Sequence, residues 1–179
     1  MFLRALAVAA AVFCVSGVAV AQTAPDVYSV SGGQRTQMRA IMVSTSTQAR
    51  PYAGVRQYAV MPGDRAMTRL SSDTSFLVAV PSNIQPQGVV VLASFEPRRG
   101  NRLVLVGGGY MSWSTGIHPD RIIAVSMEAA GGSAPSGHTM YRVTPTTPLA
   151  SGEYAIVVAT GQQQGYAGIP GTFYDFGVD

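Results

Sequence analysis

Few side chains in this sequence carry obvious chemistry, and they are scattered. The two histidines sit in turn-like contexts, His118 before Pro119-Asp120 and His138 after Ser136-Gly137. Neutral imidazole with a carboxylate suits zinc or copper, so a site using both histidines with Asp120 or Glu128 can be drawn if these segments are adjacent strand ends. A nucleophilic pair, Ser136 with His138 or Ser112 with His118, would need an orienting acid and a hydrogen-bond geometry that spacing does not supply. The chain has no G-x-S-x-G elbow, no H-E-x-x-H, no C-x-x-C and no acidic loop with calcium spacing. Both histidines therefore read more plainly as isolated polar loop residues, and the expectation is no catalytic residue, no metal and no cofactor.

Aromatic residues in small-residue loops offer a different chemistry. The tract Gly107 to Gly116 places the only tryptophan, Trp113, with Tyr110 among glycines and serines. Aromatic faces stack on sugar rings or anchor protein interfaces, and small neighbours let a ligand approach the backbone. Tyr166, in the Gln- and Gly-rich stretch from Gly161 to Gly171, joins Tyr110 and Trp113 as a ligand-binding candidate. The competing reading folds Trp113 back as a cap on the core and gives the glycines to tight turns.

All twelve basic residues are arginine, which excludes the phosphate-loop lysine, Schiff-base catalysis and Ser-Lys pairs. Residues 22–102 hold nine arginines against Asp26, Asp64, Asp73 and Glu96, whereas residues 103–179 hold Arg121 and Arg142 against five acids. A basic half favours an anionic partner or a complementary copy, unless the fold mixes the halves in space. Three arginines in Arg98-Arg99-Gly100-Asn101-Arg102, with no interleaved aromatic residue, do not make a nucleic-acid site. The tract looks like a hairpin connection whose charges stay solvated.

Residues 1–21 read as an export signal. Arg4 supplies a positive start, Ala5 to Val15 an apolar core and Ala19-Val20-Ala21 a small-x-small cleavage site. A retained anchor and a lipoprotein signal acylated on Cys14 are the alternatives. Ser16 and Gly17 interrupt a stretch already short of the roughly 20 residues a spanning helix needs, and the large Phe13 precedes Cys14. Cleavage removes the only cysteine, so the mature chain needs its core for stability and keeps no transmembrane segment. The remaining length suits one domain able to bury roughly two thirds of its unfolded surface.

Residues 22–37, rich in Gln, Ser, Thr and Gly, predict a flexible leader, with order from Met38 and a single domain over 38–179. Short apolar runs then alternate with Gly, Pro, Asp and Asn clusters. Strands are predicted over Met38 to Ser44, Val55 to Met61, Phe76 to Val80, Val89 to Phe95, Arg102 to Val106, Arg121 to Glu128, Thr139 to Thr144, Glu153 to Thr160 and Thr172 to Val178. Phe76, Val78 and Val80 should share one core face, as should Ile123, Val125 and Met127. The runs Val89 to Leu92 and Ala155 to Val158 are apolar on both faces, as in central strands or strands covered on their outer side.

The segment Leu149-Ala150-Ser151-Gly152-Glu153-Tyr154 resembles the tyrosine corner of immunoglobulin-like sandwiches, and Phe173 to Val178 resembles their final strand. The resemblance implies an all-β, immunoglobulin-like antiparallel β-sandwich of about seven to nine strands. Leu149, Gly152 and Tyr154 would form its structural corner, with the tyrosine hydroxyl satisfying a backbone group upstream. Ile156 replaces the cysteine of antibody domains, and the likeness carries no functional residues.

These features predict a non-enzymatic exported module of a bacterial periplasm or cell envelope. It would bind an envelope protein through its loops, with glycan recognition by Tyr110, Trp113 and Tyr166 as the alternative. An envelope hydrolase or metalloprotein is the least favoured class.

Overall fold

The computed structural model describes residues 26–51, 54–109, 114–159 and 171–179. Residues 1–21, predicted to be an export signal, and Tyr110, Trp113 and Tyr166 fall outside them. The described residues form strands β1 (Val27–Ser31), β2 (Gln34–Gln37), β3 (Ser44–Arg50), β4 (Gly54–Pro62), β5 (Arg69–Leu70), β6 (Ser75–Pro81), β7 (Val90–Arg98) and β8 (Asn101–Gly109). These are followed by β9 (Ser114–Thr115), β10 (Ile122–Ile123), β11 (Val125–Ala129), β12 (His138–Pro145), β13 (Gly152–Val158) and β14 (Thr172–Val178). The only helical pieces among them are 3₁₀ turns at Pro86–Gly88 and Pro119–Arg121, so the protein is all-β.

One sheet has the order β11-β12-β6-β1-β2, and the other β3-β4-β8-β7-β13-β14-β5, with β9 beside β8 and β10 beside β7. All pairings are antiparallel except β5 with β14, which is parallel. The two sheets pack as a sandwich, because alternation aims one face of each strand at the other sheet. Phe76, Val78 and Val80 of β6 meet Leu92 of β7, Ile156 of β13 and Phe176 of β14 in one core. Ile123, Val125 and Met127 pack against its rim, although Ala124 breaks the predicted strand in two.

The larger sheet also folds back on itself. β7 and β8 pair only from Glu96↔Leu103 to Arg98↔Asn101 and then part. β8 and β4 pass over the second face of β7, β13 and β14, burying Met61, Val104 and Val106 against Phe95, Val157 and Phe173. Ile41 ties this layer down through a hydrogen bond from its N–H to the Phe173 carbonyl, 2.9 Å. The residues of β13 that face this second core alternate with those that face the first. This is why Ala155 to Val158 is apolar on both sides.

Three expectations need correction. Residues 27–37 form the β1–β2 hairpin instead of a flexible leader: Val27 is fully buried and β1 pairs with β6 from Val27↔Val78 to Val30↔Ser75. The strand placed at Met38 to Ser44 is a single bridge at Ile41, and the strand begins at Ser44. Arg102 is not solvated, being only 3% exposed, because it lies on the inward parity of β8. The hairpin itself is present, turning at Arg99 and Gly100 with φ of 52° and 79°, the positive pair that a two-residue turn between twisted strands requires.

Candidate functional site

The charged residues form two groups with different consequences. The first closes one end of the second core. Arg102 donates from Nη1 to Asp175 at 2.6 Å and lies 3.7 Å from Glu153, while its remaining nitrogens donate to the Gly63 and Pro62 carbonyls at 3.0 Å. Glu153 accepts from the Ala66 N–H and from Arg69, both at 2.6 Å. Arg69 also grips Asp179, which Arg65 reaches as well. The Arg69 guanidinium crosses the backbone at Gly177, where any Cβ would collide with it. Hydrogen bonds from Arg69 hold the Asp179 carboxyl below the usual carboxylate range, and Asp179 in turn raises Arg69. Among the described residues no buried side-chain polar atom lacks a partner. The group therefore fastens the segment from Gly63 to Arg69 onto β13 and β14, a structural task.

The second group lines an open groove of about 370 Å³ where β7 and β8 part. The segment after β9 enters the fork, with the His118 N–H bonded to the Leu105 carbonyl at 2.9 Å, and β10 then continues along β7. Leu103 and Leu105, on the outward parity of β8, line the groove with Tyr58 and Arg56 of β4, Glu96 and Arg98 of β7, and His118, Asp120 and Arg121. Arg121 is held by Glu96 at 2.8 Å, and His118 Nδ1 lies 3.5 Å from Asp120. Arg56 and Arg98 have no acidic partner among the described residues. Sequence reading missed this groove because its residues come from separate stretches and form no motif. The only available signal was Arg56, a charged residue within the largely apolar strand β4.

The predicted binding residues Tyr110, Trp113 and Tyr166 lie outside the described residues, but the ends of their loops do not. Val158 pairs with Val90, and Val158 also pairs with Thr172. β8 leaves the hairpin antiparallel to β7, so it runs toward the end where β7 begins and closes at Gly109. β8 and β13 thus both run toward the end of the larger sheet where β7 begins.

The residues assigned to the corner, Leu149, Gly152 and Tyr154, lie at the entry to β13. Tyr154 donates from its hydroxyl to the Ala150 carbonyl at 2.8 Å, and its ring stacks on Phe176 with centroids 5.6 Å apart. Burial raises its pKa. Leu149 is buried, and Gly152 makes room for the tyrosine, since a Cβ there would stand 3.2 Å from the hydroxyl oxygen. His118 and His138 are not brought together: His118 lies in the fork of one sheet, and His138 begins β12 in the other, opposite Pro81. His138 Nδ1 lies 3.1 Å from the Ser136 carbonyl oxygen, not from its hydroxyl. No group of three metal-binding side chains exists among the described residues, and no helix among them is long and apolar enough to cross a membrane. Comparison of the chain with protein-family models, curated proteins and solved structures finds no match.

Proposed function

We propose that this chain is an exported, immunoglobulin-like binding module that contacts a protein of the bacterial envelope through the loops at one end of its sandwich. The carrying observation is strand direction: β13 ends and β14 begins beside the start of β7, and β8 leaves its hairpin with β7 antiparallel, running back toward that end. The immunoglobulin-like reading draws on strand order, since β11-β12-β6-β1 lies against β7-β13-β14, and on the Tyr154 hydroxyl bond at the entry to β13. A rigid scaffold with aromatic-bearing loops at one end is a familiar recognition arrangement.

The test is crosslinking in intact cells with identification of the captured protein, comparing the natural chain with Trp113→Ala. The expected result is one enriched envelope protein, with capture lowered roughly tenfold or more by the substitution. Capture that Trp113→Ala leaves unchanged would remove the loop assignment. Thermal stabilisation by a cell-wall glycan that Trp113→Ala abolishes would assign the aromatics to a sugar instead. Export is tested separately by N-terminal sequencing of the cell-derived protein, which should begin at Gln22.

A further inference from the structure

We propose that the groove at the β7–β8 fork binds an extended acidic segment of a partner protein, carrying acid, apolar and acid side chains at alternate positions. The inference rests on the reading of the chain as a binding module, but it uses neither of the loops on which that reading depends.

Two cations of the groove are unmatched. Arg121 is already occupied by Glu96, and Arg69, Arg65 and Arg102 are consumed in the ionic end of the second core. Arg56 and Arg98 line the groove together with Glu96 and Asp120, yet among the described residues neither arginine has a carboxylate within ion-pair distance. A guanidinium presents a planar fork of donors that matches a carboxylate bidentately, so each is a ready receptor for one acid group.

Register gives the spacing. Arg56 pairs with Gly108 and Arg98 with Asn101, so roughly 20 Å of β8 separates their levels. Both side chains turn into one groove, which shortens that span from each end. In an extended peptide, residues i and i+4 point to the same side roughly 13 Å apart, with residue i+2 between them. Acids at i and i+4 would meet Arg56 and Arg98, and an apolar residue at i+2 would lie over Leu103, Leu105 and Tyr58.

The probe is the pentapeptide acetyl-Glu-Ser-Leu-Ser-Glu-amide, titrated into the mature protein by calorimetry and by backbone amide shifts. The glutamine version of the peptide, adipate and sodium chloride at equal ionic strength serve as comparisons. Saturable binding is expected for the Glu peptide, weakened about tenfold by Arg56→Ser and by Arg98→Ser as each removes one charge-assisted pair. Arg39→Ala, a cation outside the groove, should leave binding unchanged. Absence of saturable binding, equal binding of the glutamine peptide, tighter binding of adipate, or indifference to both groove substitutions would each overturn the proposal. Arg56 and Arg98 are exposed, so the substituted proteins should fold, as a far-ultraviolet spectrum and melting curve would show. Loss of cellular capture in the groove variants but not in Trp113→Ala would leave the groove standing and the loop assignment fallen.

Discussion

Two buried tyrosines illustrate what a single hydroxyl contributes. Tyr154→Phe keeps the stack on Phe176 and removes only the donor to Ala150. The expected loss is about 1 kcal/mol, the net value of one hydrogen bond, read as a lower denaturation midpoint at constant slope. Tyr174 is pushed up to about 12, first by burial and then by the charge of Asp26. Its folded value stands above its unfolded one, so its contribution to stability is fully present below the unfolded pKa. Between pH 10.0 and about 12 the unfolded chain releases the proton while the folded chain holds it, and stability falls as pH rises. The fall across that window should be about 2–3 kcal/mol. Urea titrations at stepped alkaline pH measure it, and Tyr174→Phe should flatten the slope. An unchanged slope in that variant would assign the alkaline limit to another group.

At the scale of elements, the ionic end of the second core decides whether β4 and β8 stay on β13 and β14. Arg102→Ala would strip Asp175 of its cation, deprive Glu153 of its neighbouring charge and take donors from the Pro62 and Gly63 carbonyls. Breaking a buried pair on one side costs about 3–5 kcal/mol. The Asp175→Ala, Arg102→Ala cycle should be strongly non-additive, because each single change leaves a charge the other would remove. Additive costs would mean that water already screens the pair. Arg102 also shows where legibility ended. Strands such as β6, β12, β13 and β14 were readable because short apolar runs bounded by turn residues mark them, through alternation in β12 and through burial of both faces in β6 and β13. β3, with the sequence Ser-Thr-Ser-Thr-Gln-Ala-Arg, carries no such record and is a strand through its pairing with β4. The hydrogen bond from Tyr154 to the Ala150 carbonyl was legible because its residues lie in one short run. The groove was not, because only the parting of β7 and β8 brings Arg56, Arg98 and His118 around one space.

For the whole molecule, the decisive feature is that β7, β13 and β14 belong to both cores. Neither core can dissolve without uncovering one face of these strands, so unfolding should be a single transition with calorimetric and van't Hoff enthalpies in agreement. The β1–β2 hairpin belongs to this unit despite its polar sequence, since Val27 sits in the first core and β1 supplies an edge partner for β6. A chain beginning at Arg39 therefore loses the burial of Val27, about 1.5–3 kcal/mol for that side chain alone. It also loses the hydrogen bonds between β1 and β6 and the Ala79 N–H bond to the Asp26 carbonyl, 2.9 Å. Its melting temperature should drop well below that of a chain beginning at Gln22, and amide exchange in β6 should accelerate before exchange in β13. Equal melting temperatures would return residues 22–37 to the role of a passive leader, because a strand that can be removed without cost is not part of the cooperative unit.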